Sequence, residues 1–178
     1  MSSEQIIEQT KKWIVDVIIG CNFCPFAAQV VKQQTIFYQV EMSANLDTCL
    51  ESFVHEMERL DNDETIETSF LILPNGFEKF DDYLYLLSLA EELLKRKDYE
   101  GTYQVASFHP LYLFDDSDEG DPANYTNRSI YPMLHLLREE SIDKALEHYK
   151  SPESIPARNI NFTREKGLAY MKMLRDAL

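Results

Sequence analysis

A chain of 178 residues is long enough to bury a proper core, and 44% hydrophobic with 27% charged residues is ordinary globular composition, which excludes a disordered tail. Thirty-one acidic against seventeen basic residues give a formal charge of −14. Such a field repels nucleic acid and anionic lipid, whose affinity for proteins comes from Lys and Arg.

Ile6, Ile7, Thr10, Trp13, Ile14, Val17 and Ile18 recur at helical spacing, with Ser2 and Ser3 as cap candidates and Gly20 as a stop. Gly20 to Phe23 reads as a turn. Pro25 suits the first position of a second helix, where its missing N–H costs nothing, and Cys24 is then the N-cap. Thr35 to Val40, rich in β-branched and aromatic residues, reads as a strand. Leu46, Cys49, Leu50, Phe53, Val54, Met57 and Leu60 form a helical stripe. Thr68 to Leu73, closed by Pro74-Asn75-Gly76, is a buried strand ending in a turn. Phe80, Tyr83, Leu84, Leu87, Ala90 and Leu94 make another helix, with Asp81 and Asp82 in its first turn, Lys95 to Lys97 in its last, and Gly101 beyond.

Tyr103 to Phe108 is the third strand. Helices are expected at about 131–140 and 142–150, then a connection marked by Pro152 and Pro156, then a final helix to Leu178. Strands alternating with long helices predict a single α/β domain over 1–178. Its sheet is small, about three-stranded and mainly parallel, with crossover helices and a helical C-terminal third. No run approaches the roughly 20 apolar residues of a membrane span: the longest uncharged stretch, Val17 to Val31, is broken by Gly20, Asn22, Pro25 and Gln29. The start lacks the basic and apolar segments of a secretory signal, and three cysteines leave one unpaired in any disulfide scheme, so a reduced, cytoplasmic protein is expected.

The segment 103–140 concentrates the chemistry. A strand runs into His109, and a polar loop brings Asn124, Asn127, Arg128 and Ser129 to a segment carrying His135, Arg138 and Glu139. In open α/β sheets the binding crevice lies beyond the carboxyl ends of the strands, which places His109 at its mouth. On a helix, His135, Arg138 and Glu139 at i, i+3, i+4 share a face, so Glu139 orients His135 or binds metal beside it, or the three form a solvated polar face with an ion pair. Asn127-Arg128-Ser129 just before a helix is either an anion-binding N-terminus, with Arg128 holding a carboxylate or phosphate, or an N-cap with a structural ion pair. His55 and His148 sit among charges and read as surface residues.

Cys21 and Cys24 form a Cys-x-x-Cys, but it follows a helix rather than a strand, and a zinc ribbon needs a second pair. At a helix start Cys24 gains thiolate character from the backbone N–H groups and the dipole; otherwise it is a buried or merely capping residue. Cys49 lies on a core stripe. The acidic loop Asp115 to Asp121 puts Gly120 at the sixth position of a calcium loop, but Ser117 at the third and Thr126 at the twelfth break the pattern, leaving a solvated loop. No Gly-rich phosphate cradle and no G-x-S-x-G elbow occurs.

These motifs together resemble the bacterial family catalogued as domain of unknown function 1415. The likeness runs nearly end to end, through Gly20-x-Asn22-x-Cys24-Pro25-Phe26-Ala27, Tyr103 to Pro110, Asn124-Tyr125-Thr126-Asn127-Arg128-Ser129, Tyr131 to Ser141, and Arg158-Asn159-Ile160. The resemblance implies no activity, because the family has no established function. Cys21 stands where the family pattern has Leu, which leaves Cys24 as the thiol of interest. Ile130 stands where it has Pro, and the acidic loop where it often has Ala-Gly-Thr.

The expected function is a small cytoplasmic enzyme working at the carboxyl end of the third strand on a small anionic molecule. In that reading Cys24 or His109 performs covalent or acid–base chemistry, His135 and Glu139 tune it, and Asn124, Asn127, Arg128, Ser129 and Arg138 bind substrate. Two alternatives stand beside it. One is a zinc-like site on Cys24, His109 and His135 with an open water position. The other is a non-catalytic module holding a small anion on Arg128 and Asn127. Neither nucleic acid nor membrane is expected as a partner; the sequence assigns no cofactor and no protein partner.

Overall fold

The computed structural model describes residues 1–147 and 149–177. The first helix, α1 (Ser3–Trp13), opens on a reciprocal cap: Ser2 Oγ accepts from the Gln5 N–H while the Gln5 side chain accepts from the Ser2 N–H. Its continuation through Ile14–Ile19 widens to i→i−5 bonding, with Gly20 N–H donating to Val15 at 3.0 Å and Phe23 N–H to Ile18 at 2.8 Å. Gly20 is required there, since a Cβ would lie 2.3 Å from the Asp16 carbonyl oxygen. Helix α2 (Pro25–Gln33) begins as expected, with Pro25 in the first turn and Cys24 as N-cap.

The strands are β1 (Ile36–Val40), β2 (Thr68–Ile72), β3 (Tyr103–Phe108) and β4 (Met133–Arg138), arranged in the order β1-β2-β4-β3. Helix α3 (Leu46–Asn62) crosses from β1 to its parallel neighbour β2, and α4 (Phe80–Arg96) crosses from β2 to β3 while skipping one position. The chain leaves β3 and turns back at the same end, so β4 enters the gap antiparallel to both neighbours. The expected three-stranded, mainly parallel sheet is therefore corrected to a four-stranded mixed sheet with one parallel pair. The expected helix at about 131–140 is this fourth strand. Met133, Leu134, Leu136 and Leu137 are good helix formers, but a central strand buries both faces and so shows no alternation to read.

Two further expectations shift. The helix expected at 142–150 is α5 (Glu139–Leu146). The single C-terminal helix is two, α6 (Ile155–Lys166) and α7 (Leu168–Asp176), broken at Gly167, whose φ of +82° is strained for any residue with a Cβ.

One sheet face carries Ile36, Tyr38, Phe70, Ile72, Ala106, Phe108, Met133, His135 and Leu137 beneath α1, α2 and the C-terminal helices. The other carries Leu71, Tyr103, Val105, Leu134 and Leu136 against α3 and α4. Arg138 belongs to the second face. Its guanidinium donates to the carbonyls of Leu60, Asp63 and Ile66 and to the Tyr103 hydroxyl, capping the end of α3. Replacing Arg138 with Met keeps the aliphatic stem but leaves those carbonyls unpaired. Urea unfolding is expected to show a loss of about 2–4 kcal/mol; a change within experimental scatter would contradict this capping role.

Candidate functional site

The alternation of β4 separates residues that a helix would have gathered. His135 points to the face under α1 and α2, Arg138 to the face under α3 and α4, and Glu139 starts α5, its N–H donating to the Thr102 carbonyl at 3.0 Å. The shared helical face expected for these three does not exist. Asn127-Arg128-Ser129 likewise precedes a strand, so no helix N-terminus stands there to receive an anion.

The polar loop 109–132 closes on itself. Asn124, fully buried, accepts at Oδ1 from the Phe114 N–H and the Ser117 hydroxyl, and donates from Nδ2 to the Asp118 carbonyl. Asn127 donates to Ser107 at 3.1 Å while its own carbonyl accepts from the His109 N–H. Arg128 lies over the Tyr125 ring and donates to the carbonyls of Tyr112 and Glu119 at 2.9 and 3.0 Å. Ser129 is buried and donates to the Tyr131 carbonyl. The segment that reads in sequence as a binding cluster is, in three dimensions, a hydrogen-bonded clasp that satisfies the backbone of a long connection.

His109 lies on the α4 side of the sheet, packed against Phe80 and Tyr83. The Leu111 N–H donates to its Nδ1 at 3.0 Å, which fixes Nε2 as the protonated nitrogen donating to the Phe77 carbonyl at 2.8 Å. Both ring nitrogens are committed, and burial holds its pKa below the usual imidazole value against the raising effect of that carbonyl.

Cys24 and His135 do meet one space. A cavity of about 370 Å³ lies between the sheet face at Phe70, Ala106, Phe108, His135 and Leu137 and a roof of Trp13, Ile18, Phe23, Cys24, Phe26 and Ala27. Ile142 and Leu146 of α5 and Ile155 and Pro156 of α6 close another side, and the exposed Gln104 and Pro156 sit at the rim. Among the described residues, no Lys, Arg, Asp or Glu lines it. A second cavity of about 340 Å³, with Thr126, Asn127 and Asn159 in its wall, adjoins the first along Ile18, Phe23, Cys24 and Phe108. Arg158 and Asn159 hold this wall by donating to the carbonyls of Asn22 and Phe23.

His135 stacks on Phe70 with ring centroids 3.7 Å apart and planes 9° from parallel. The single Thr68 hydroxyl proton goes to the Leu136 carbonyl at 2.7 Å, so Thr68 Oγ1 accepts from His135 Nε2–H at 2.6 Å. That leaves Nδ1 with its lone pair and, among the described residues, no hydrogen-bond partner. Burial lowers the ring's pKa to about 3, so at neutral pH it is an acceptor and carries no charge. Cys24 goes the opposite way from a helix-start thiolate: burial raises its pKa, outweighing the lowering by the N–H groups of Ala27 and Phe26. Cys21 and Cys49 are buried and raised by the same cause.

Sequence reasoning missed Trp13. It is fully buried, its ring meets Phe108 edge-on at 5.1 Å, and its Nε1–H is, among the described residues, the buried side-chain nitrogen or oxygen without a hydrogen-bond partner. Its position on a helical apolar stripe signals core packing, and nothing in the stripe reveals the unpaired donor.

Cys24, His109 and His135 do not form a metal site, since His109 is across the sheet from the other two; among the described residues no three His, Cys, Asp or Glu side chains gather for one. His55 is exposed, as expected, and His148 lies outside the described residues. No described helix is long and apolar enough to cross a membrane.

Fold and site together define a layered α/β protein with a neutral, apolar cavity between its sheet and its N-terminal helices. The chain belongs to the family described as protein of unknown function (DUF1415), whose model matches residues 5–173. No curated protein and no solved structure matches it.

A buried imidazole lowered to about 3 stabilises the fold fully above its ordinary value of 6.5 and loses that contribution as the pH falls toward 3, because the unfolded chain then binds a proton the folded one refuses. Nitrogen-15 NMR of labelled histidine is expected to show His135 neutral and protonated on Nε2 at pH 5. An imidazolium signal for His135 at that pH would contradict the arrangement.

Proposed function

We propose that this protein binds a small, neutral, predominantly apolar molecule in the cavity between β2, β3, β4 and the roof formed by α1 and α2. The observation that carries the reading is the cavity itself. At about 370 Å³ it lies in the size range of small-molecule sites, far above the water-sized voids of ordinary cores, and it contains no ionic side chain. An anion there would lose its hydration with no cation in the wall to compensate. The guanidinium groups of Arg128 and Arg138 are engaged by backbone carbonyls elsewhere. This favours a neutral ligand over the small anion expected from Arg128 and Arg138.

A raised Cys24 and an imidazole near pKa 3 lack the thiolate–imidazolium pairing of covalent catalysis, and the hydrogen bond of the His135 ring goes to Thr68. Recognition is therefore the function this geometry supports best. Ala27 and Ala106 face the cavity from opposite sides. In isothermal titration calorimetry, naphthalene is expected to bind the wild-type protein saturably with one site. Ala27→Leu and Ala106→Leu, which fill the space, are expected to weaken binding at least tenfold while circular dichroism and melting cooperativity stay native. Undiminished binding in both folded variants, or no saturable binding to wild type, would overturn the proposal.

A further inference from the structure

His135 brings to the cavity one polar atom that the fold leaves unpaired. The imidazole is locked as the Nε2–H tautomer: the Thr68 hydroxyl gives its only proton to the Leu136 carbonyl and accepts from Nε2–H, so Nδ1 keeps a lone pair. Among the described residues, no donor lies within hydrogen-bond distance of Nδ1. Nor is Nδ1 sealed inside the protein. Among the described residues, the fully enclosed side-chain atom without a partner is Trp13 Nε1, so Nδ1, equally unpaired, retains accessible surface. The ring lies flat against Phe70, its Nε2 is tied to β2, and the space it lines is the cavity, so that surface opens there. Phe70, Ala106, Phe108 and Leu137, which share this stretch of wall, have no side-chain donor to offer. A ligand that fills the cavity displaces water from Nδ1, and it loses affinity unless it brings a donor of its own.

We propose that His135 Nδ1 selects neutral ligands that carry a hydroxyl or N–H donor on an apolar body: a phenol, an alcohol or an N–H heteroaromatic. This rests on the cavity being a binding site and names what that site prefers. The ligand's O–H or N–H donates to Nδ1 while its body packs against the apolar wall. An ether, ketone or ester presents only lone pairs to the lone pair of Nδ1 and is disfavoured. A carboxylate does the same and brings an uncompensated charge into an apolar space. An ammonium has the donor, but among the described residues no carboxylate in the wall offsets its charge. Thr68 is a positioning residue: its hydroxyl holds the proton on Nε2 and so keeps Nδ1 bare.

The test compares 1-naphthol with naphthalene and 1-fluoronaphthalene, close to it in size but without a donor, on the full chain by titration calorimetry. In the wild type, 1-naphthol is expected to bind about fivefold more tightly than naphthalene, in line with one net hydrogen bond, and 1-fluoronaphthalene within about twofold of naphthalene. His135→Phe keeps an aromatic ring against Phe70 and removes Nδ1. It is expected to shrink the naphthol advantage to within about twofold while naphthalene affinity stays near wild type. A readout on the wild type does not depend on how that variant folds: the His135 Nδ1 nitrogen-15 resonance is expected to move upfield on adding 1-naphthol and to stay close to its place with naphthalene. If naphthalene fails to bind, the cavity reading falls and this inference with it. If naphthalene binds but 1-naphthol has no advantage, leaves Nδ1 unmoved, or keeps its full advantage in a folded His135→Phe variant, the cavity reading stands and this inference is overturned.

Discussion

The pairing of β4 between β2 and β3 decides which side chains share a space. Met133 to Leu137 are held in register on both edges and Arg138 on the β3 edge, so the alternation is imposed on the whole sheet: His135 aligns with Phe70 and Ala106 on one face, Leu134 and Leu136 join the α3–α4 core on the other. A slip of one residue would turn the imidazole into the second core and Arg138 into the cavity. The register also places the Thr68 hydroxyl beside His135 Nε2 and so fixes the tautomer. Arg138, sent the other way, is free to cap α3.

Electrostatics follow from that placement. The chain is strongly acidic overall, yet the cavity wall carries no ionic side chain, and burial drives its titratable groups toward neutrality from both directions. Cys24 is pushed up toward the thiol, His135 down toward free imidazole. The site is defined by its shape and its apolar lining rather than by charge. Its neighbour at Asn127 and Asn159 is more polar, but both amides are already spoken for by Ser107 and Phe23.

Much of the architecture was legible in the sequence where local signals and tertiary needs agree. Trp13 and Ile14 on their stripe, Cys24 and Pro25 at the start of α2, the β-branched run into Val40 and the apolar run from Thr68 all fold as their patterns state. Met133 to Arg138 was not legible, because a strand buried on both faces has no period and its Leu and Met favour a helix when read alone. That misreading joined His135 to Arg138 on one face and put a helix N-terminus behind Arg128. Asn124, Asn127 and Arg128 hydrogen-bond the backbone of the loop 109–132 and of the strand end. Cys24 and His135 were identifiable by residue type, whereas their companion Trp13 was hidden, since an unpaired donor is a property of three-dimensional packing alone.

The central claim is that the apolar cavity between the sheet and the helices α1 and α2, with Trp13 packed in its roof, binds a small neutral molecule. The chain has one tryptophan, so its indole N–H gives a single assignable signal in a proton–nitrogen correlation spectrum. On adding naphthalene, that signal is expected to shift through the ring current of a ligand packed beneath the roof and to saturate with one-site stoichiometry. An indole signal that stays fixed while the compound binds the protein would contradict the account.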